Sequence, residues 1–212
     1  MSRGTPEWRQ LLITDGSADR DRIERVLEAA LRGGIRGILL REKSLSTPER
    51  VDWTKRLREI TERYEATLLV SEDLEAAALA DGVHLSFRSP PVEQARAELG
   101  PKAWIGVSTH DEGEVERAIH GGADYVTFGP VFDTASKRGI LEARGVERTL
   151  AVTRARPIPV FALGGIDLLR ARALAERGIE RLAVIGCVFG ADAPERAARE
   201  LTLSNPIERR SV

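Results

Sequence analysis

The stretch WIGVSTHDEGEVERAIHGGADYVTF, residues 104–128, contains one complete structural repeat of the chain. An apolar run at 104–107 is followed by an amphipathic segment at 111–119, a glycine pair and a second apolar run at 125–128. Short runs that are apolar on both faces predict buried strands of a parallel sheet, and apolar residues three and four apart predict a helix between them. The stretch therefore predicts a β-α-β unit.

The same alternation runs through the whole chain. Eight strands are predicted, at 11–14, 37–40, 67–70, 83–85, 104–107, 125–128, 160–163 and 182–185. Helical patterns are found at 20–31, 48–64, 111–119, 168–177 and 194–203. Eight units in 212 residues predict an α/β fold, a single-domain (β/α)8 TIM barrel with short loops. A doubly wound open sheet is the alternative that alternation alone leaves open. We expect the barrel to span residues 1–203, followed by a polar C-terminal tail at 204–212.

Composition excludes several classes of function. The chain has 32 Lys and Arg against 33 Asp and Glu, so we expect neither nucleic acid nor a membrane as a partner, since phosphate-backbone binding needs a net basic face. Its apolar runs are far shorter than the roughly 18 residues of a membrane helix. The N-terminus is polar, so we expect no secretory signal, and a single cysteine, Cys187, excludes an intrachain disulfide. We expect a cytoplasmic protein.

A pair of cations follows the second predicted strand, in the segment LLREK at 39–43. Side chains alternate along a strand, so Arg41 and Lys43 stand together at the barrel mouth if their face points inward. Only four of the 32 basic residues are lysines, and two of these, Lys43 and Lys137, fall in strand-to-helix loops. That choice of lysine indicates a phosphate or proton-transfer role, because lysine is a compact point charge. The alternative is that both are solvated loop cations.

The connection GPVFDTASKRG at 129–139 is the longest polar loop. Its hydroxyl and cationic side chains predict an anion clamp that includes Thr134, Ser136 and Lys137. A long surface turn is the alternative.

Glycine turns follow the seventh and eighth predicted strands, at Gly164-Gly165 and Gly186-Cys187. Glycines let backbone N–H groups approach a ligand, and barrels often bind phosphate between these two loops. Cys187 beside them is expected to be a small buried residue, since no thiolate-stabilising partner adjoins it. The three histidines form no metal or triad pattern, and His84 is expected in the core.

These positions give the chain a resemblance to the thiamine phosphate synthase superfamily over nearly its whole length. The motifs that carry the resemblance are ITD at 13–15, REK at 41–43, ADGVHL at 80–85, IGVSTH at 105–110, ADY at 123–125, FGPVF at 128–132 and LGGI at 163–166. The resemblance implies the (β/α)8 fold. It also implies the synthase reaction, in which a pyrimidine diphosphate is joined to a thiazole phosphate with magnesium and pyrophosphate is released.

The chain departs from the synthase pattern at the metal site. Leu39 replaces a glutamine, Ser71-Glu72 replaces Asn-Asp, and Ser89 replaces a second metal-binding aspartate. One glutamate with Arg88 nearby makes a poor magnesium site, so metal-assisted departure of pyrophosphate is in doubt. The chain retains its likeness to the family at the thiazole phosphate end of the site. This likeness implies that Ser108 binds the phosphate together with the anion clamp and the two glycine turns.

The loop at 133–146 looks more like the TenI-type branch of the superfamily, the thiazole tautomerases. Our leading hypothesis is therefore an enzyme, a tautomerase that moves a proton on a carboxythiazole phosphate. One member of that branch has its catalytic histidine where this chain has Pro130. Lys43 and Glu72 are the candidates to carry the proton instead. This hypothesis expects no metal and no cofactor, with magnesium only if the chain is a synthase.

Two alternatives stay open. The first is a thiamine phosphate synthase, a transferase, with an altered metal site. The second is a non-catalytic regulator or accessory protein that binds a phosphate ligand. Under all three hypotheses the partner is a small phosphorylated heterocycle, a thiazole phosphate. Barrels of this kind often pair, so a homodimer also stays open.

Overall fold

Eight parallel strands close into a single barrel in the computed structural model, which describes residues 4–134, 142–154 and 156–203. Each strand pairs with the next in sequence, and β8 pairs back onto β1 to close the ring. The strands are β1 Gln10–Ile13, β2 Gly37–Leu40, β3 Thr67–Ser71, β4 Gly82–Leu85, β5 Trp104–Thr109, β6 Tyr125–Phe128, β7 Val160–Leu163 and β8 Leu182–Val184. The predicted (β/α)8 barrel is confirmed, and the open sheet is excluded because its edge strands would not pair.

Helices connect the strands on the outside of the barrel. They are α1 Arg20–Arg32, α2 Thr47–Glu62, α3 Leu74–Ala77, α4 Val92–Leu99, α5 Glu112–His120, α6 Val146–Arg154, α7 Leu168–Glu176, α8 Gly186–Phe189 and α9 Pro194–Leu203. The sequence prediction named no helix at α3, α4 or α8, which have four to eight residues each. One or two turns are too short to display a helical period. The proposed tail at 204–212 lies outside the described residues.

Aspartate side chains fix the start of four helices and so shape the loops at the barrel mouth. Each carboxylate accepts a hydrogen bond from a backbone N–H in the first turn. The capping residues are Asp19 for α1, Asp73 for α3, Asp111 for α5 and Asp167 for α7.

The core has an outer and an inner part. Two clusters fill the space between strands and helices, and a third fills the barrel interior. Trp8, which precedes β1, packs in this interior cluster against Tyr125 and Phe161, with ring centroids 5.3 and 4.7 Å away. These rings fill the barrel towards its amino end, which leaves the carboxyl ends of the strands for a site. Among the described helices, none has both the length and the apolar character needed to cross a membrane.

Candidate functional site

A cavity of about 510 Å³ opens at the carboxyl ends of β2, β3 and β4. This is the end of a (β/α)8 barrel at which active sites are built. Polar and charged side chains dominate its lining, which comprises Arg41, Glu42, Lys43, Thr47, Arg50, Ser71, Glu72, Asp73, Leu74, Glu75 and Arg88.

Three cations in this lining, Arg41, Lys43 and Arg88, are not held in ion pairs by the residues that the structure describes. Leu39 lies buried inside the barrel, so the alternation that places it there brings Arg41 and Lys43 to the mouth. Arg88 reaches the same cavity from the β4–α4 loop. Within the described ranges none of the three makes an ion pair, whereas Arg50 beside them is paired with Asp73 at 2.5 Å. In the described ranges the cavity therefore carries three cations outside ion pairs, together with two carboxylates outside ion pairs, Glu72 and Glu75.

Two carboxylates of the lining are already used by the fold. Glu42 is 1% exposed, and its oxygens accept hydrogen bonds from the backbone N–H groups of Gly16 and Ala18 at 3.0 and 2.8 Å. Glu42 thus fastens the β1–α1 loop to the end of β2. The middle residue of the REK segment is structural, while the two flanking cations face the cavity.

Asp73 fastens the neighbouring loop in the same way. Its carboxylate accepts hydrogen bonds from Ala76 N, Thr47 Oγ1 and Arg50 Nη1 at 3.0, 2.9 and 2.5 Å. Burial acts to raise the pKa of Asp73, but these hydrogen bonds and the Arg50 charge together hold it below its ordinary value. Asp73 therefore stays ionised and ties α2 to α3.

Glu72, like the exposed Glu75, is a lining carboxylate with no such partner in the part of the chain that the structure describes. It is half-buried, and its φ of 65° lies in the left-handed region that non-glycine residues rarely adopt. Backbone strain of this kind concentrates at functional sites. Lys43 and Glu72, the two predicted proton carriers, line the same cavity. Their catalytic roles stay predictions.

The described residues contain no group of three or more His, Cys, Asp or Glu side chains arranged to hold a metal ion. Glu42 and Asp73 are committed to backbone and arginine partners, and Glu75 is exposed on α3. The donor set thus lacks the several oxygens that a resident magnesium ion needs.

Beneath the mouth, His84 connects the barrel interior to Ser108. His84 Nδ1 lies 3.1 Å from the Tyr125 hydroxyl, and His84 Nε2 lies 3.0 Å from Ser108 Oγ. Burial, and then the positive charge of Arg41, lower the pKa of His84 to about 3. The ring is therefore neutral, and Arg41 acts on both the cavity and the interior. His84 is buried, as its position within a predicted strand suggested, but its link to Ser108 has no signal in the sequence pattern.

On the opposite side of the rim, the turn after β7 packs against the loop after β6. Gly164 and Gly165 have φ of 107° and 65°, and a Cβ on Gly164 would lie 2.6 Å from that of Pro130. Val131 N and Phe132 N donate to the carbonyls of Leu163 and Gly164. Loop packing therefore requires both glycines. In the described ranges their own N–H groups donate to no protein acceptor.

The turn after β8 leaves open space. A Cβ on Gly186 would meet no atom within 4 Å, in contrast to Gly164. Cys187 is half-buried and packs against the outer core. Burial raises the pKa of its thiol to about 12, so the thiol stays protonated. The roles of Gly186 and Cys187 as phosphate-binding residues of this turn stay predictions.

The remaining predicted clamp residues are only partly covered. Thr134 is half-buried at the end of a described range. Ser136 and Lys137 lie outside the described residues, so their predicted phosphate contacts stay predictions.

Fold and site together define a class. The protein is a (β/α)8 barrel whose cavity at the carboxyl ends of β2–β4 is lined by Arg41, Lys43 and Arg88, with glycine turns after β7 and β8 on the other side of the rim.

Comparisons with known proteins identify the family. A family model described as thiamine monophosphate synthase matches residues 10–188. The chain is 41% identical over 205 residues to a thiamine-phosphate synthase of Archaeoglobus fulgidus, covering 95% of each protein. It is 36% identical over 198 residues to one of Chloroflexus aurantiacus, covering 92% of this chain and 91% of the relative. The chain belongs to the thiamine monophosphate synthase family, as the sequence motifs suggested.

A solved structure agrees with this assignment. Thiamine phosphate pyrophosphorylase from Pyrococcus furiosus superposes with a TM-score of 0.82 at 31% identity, covering 97% of this chain and 98% of that one. These relatives carry the synthase name, so the comparisons favour the synthase alternative over our leading tautomerase hypothesis. The departures at Ser71, Glu72 and Ser89 therefore do not take the chain out of the synthase family.

Proposed function

We propose that the protein is a thiamine-phosphate synthase, a transferase that joins a pyrimidine diphosphate to a thiazole phosphate and releases pyrophosphate. The observation that carries the proposal is the cavity with Arg41, Lys43 and Arg88 unpaired on its lining. It lies across the rim from the glycine turns after β7 and β8. A synthase must hold a diphosphate and a separate phosphate, whereas a tautomerase needs a single phosphate clamp. The two regions suit the synthase.

Each region has a distinct task in this reaction. When the bond to the diphosphate breaks, negative charge develops on the departing oxygen, and preorganised cations stabilise such charge more in the transition state than before it. Arg41, Lys43 and Arg88 supply that stabilisation at the β2–β4 side. The free N–H groups of Gly164 and Gly165 suit the phosphate of the second substrate.

The family implies magnesium, and the described side chains suit only an ion that arrives with the substrate. Magnesium in such sites is held by one or two carboxylates plus substrate phosphates rather than by an all-protein cage. Glu72 and Glu75 are the lining carboxylates that have no partner among the described residues and could contact such an ion. When bound, the ion would neutralise part of the diphosphate charge.

The direct test incubates the purified protein with both phosphorylated precursors, with and without magnesium, and quantifies thiamine phosphate and pyrophosphate. We expect equal amounts of the two products. No thiamine phosphate above background in either condition would refute the proposal. Faster aromatisation of the dihydrothiazole carboxylate phosphate would instead support a tautomerase, and ligand-induced stabilisation without turnover would support a non-catalytic binder.

A pair of variants tests the cavity itself. Arg88→Ala removes one free cation, and losing a charge-assisted hydrogen bond costs about 1.5–3 kcal/mol, roughly 10- to 100-fold in kcat/KM for the diphosphate substrate. Arg25→Ala is the matched control, because Arg25 is an exposed residue of α1 away from the mouth. Equal kinetics for the two variants would remove Arg88 from the site.

A further inference from the structure

Three residues lie side by side across the barrel interior. In the sheet register His84 on β4 pairs with Gly106 on β5, and Gly106 pairs with Tyr125 on β6. A Cβ on Gly106 would lie 2.1 Å from Tyr125 Cζ, so only glycine leaves room for the ring there. The Tyr125 ring therefore crosses the face of β5, and its hydroxyl reaches His84 Nδ1 at 3.1 Å.

The direction of this hydrogen bond follows from the surroundings of the hydroxyl. Tyr125 is fully buried, and within the described residues His84 Nδ1 is the hydrogen-bond partner of its hydroxyl. If Nδ1 carried the proton, the hydroxyl hydrogen would be buried without an acceptor, which is unfavourable. Tyr125 therefore donates to Nδ1. Because the ring is neutral, its single proton resides on Nε2.

The protonated Nε2 in turn fixes Ser108. Nε2–H donates to Ser108 Oγ at 3.0 Å, with Thr127 Oγ1 farther away at 3.4 Å. Ser108 accepts this hydrogen bond, and its own hydrogen has no acceptor among the residues that the structure describes. Ser108 is half-buried one residue before the end of β5, on the inward face below the mouth. Its free hydrogen is thus available to a molecule bound there.

We propose that Tyr125 and His84 are positioning residues: they form a one-way chain of hydrogen bonds that holds the Ser108 hydroxyl as a donor to a substrate oxygen. This inference rests on the proposed function, since the recipient is an oxygen of a phosphorylated substrate. Tyr125 and His84 act through Ser108 and touch no substrate themselves.

Tyr125→Phe breaks the chain at its first link. Nδ1 then lacks a donor, the ring proton is free to move to Nδ1, and Nε2 becomes an acceptor for Ser108. The Ser108 hydrogen is then consumed inside the protein. The loss of one neutral hydrogen bond to the substrate should lower kcat/KM by roughly 3- to 10-fold. Ser108→Ala should cause a similar loss, and the double variant should be no worse than Ser108→Ala alone.

The decisive measurement is the tautomer of His84 by long-range ¹H–¹⁵N NMR on ¹⁵N-histidine-labelled protein at pH 7.5. We expect the Nε2–H tautomer in the wild type and a shift towards Nδ1–H in Tyr125→Phe. Tyr64→Phe is the matched control, because Tyr64 is the only other tyrosine in the sequence and follows α2 on the outside of the barrel. It should leave both the tautomer and the kinetics unchanged.

An Nδ1–H tautomer in the wild type would overturn the proposal. It would also be overturned if the fold-losses in kcat/KM caused by Tyr125→Phe and by Ser108→Ala multiplied in the double variant. If the wild type forms no thiamine phosphate, the proposed function fails separately. In that case the tautomer alone decides whether the relay exists.

Discussion

Acidification from pH 7.5 to pH 5 should destabilise the fold through His84. Burial, followed by the Arg41 charge, lowers the pKa of this residue to about 3 in the folded protein. In the unfolded chain a histidine has a pKa of about 6.5. Between these values the unfolded state binds a proton that the folded state does not, so the free energy of unfolding falls as the pH falls.

The magnitude follows from the two pKa values. At pH 5 an unfolded histidine lies about 1.5 pH units below its pKa, and each unit is worth about 1.4 kcal/mol, so roughly 2 kcal/mol of stability is lost. The groups hydrogen-bonded to the ring are the hydroxyls of Tyr125, Ser108 and Thr127, and the charge acting on it is the cation Arg41. None of these favours a protonated ring.

The assay is urea unfolding at pH 7.5, 6.5, 5.5 and 5 for the wild type and for His84→Gln. Glutamine retains an N–H donor but does not titrate. The pH dependence of the variant's stability reports every titrating group except His84, so subtracting it isolates the contribution of His84. One such other group is Asp73, whose pKa lies below its ordinary value and whose contribution to stability is lost only in stronger acid. We expect the wild type to lose roughly 2 kcal/mol more than the variant between pH 7.5 and 5. Parallel stability curves would refute a buried, neutral His84.

Three further outcomes follow from the site. Glu42→Gln should destabilise the fold by about 1–3 kcal/mol, because one of the charge-assisted bonds to Gly16 or Ala18 is lost; an unchanged urea midpoint would contradict this. Gly106→Ala should lower the free energy of unfolding by about 1–3 kcal/mol, because the added methyl group overpacks against the Tyr125 ring, and the melting temperature should fall. A melting temperature equal to that of the wild type would mean that the ring can move aside. Cys187 should resist iodoacetamide at pH 8 in the folded protein and react only after denaturation; rapid labelling, followed by mass spectrometry, would exclude a protonated, buried thiol.

The barrel was predictable because its strands are buried on both faces and recur at regular spacing. Those features are local, so a sequence window detects them. Helices of one or two turns, such as α3 and α8, were not predictable, since they are stabilised by caps and packing rather than by an amphipathic period. Their positions depend on contacts that only the closed barrel brings together.

The site was predictable where strand alternation determines it. Arg41 and Lys43 were found from their spacing relative to Leu39. The link from Tyr125 to His84 was not found, because it depends on the register between the neighbouring strands β4, β5 and β6, which the spacing of residues along the chain does not reveal. One local signal pointed there: a glycine inside an otherwise apolar strand, Gly106, marks a close approach of another group.

The ties made by Glu42 and Asp73 determine how the cavity meets its ligand. They fasten the loops after β1, β2 and β3 to one another during folding, so the conformational entropy of ordering these loops is already lost before a ligand arrives. The β2–β3 side of the rim therefore acts as a rigid template. Under the proposed synthase function, a stiff, bisphosphonate-like mimic of the diphosphate, shaped to this template, would form a better starting point for an inhibitor than a flexible one.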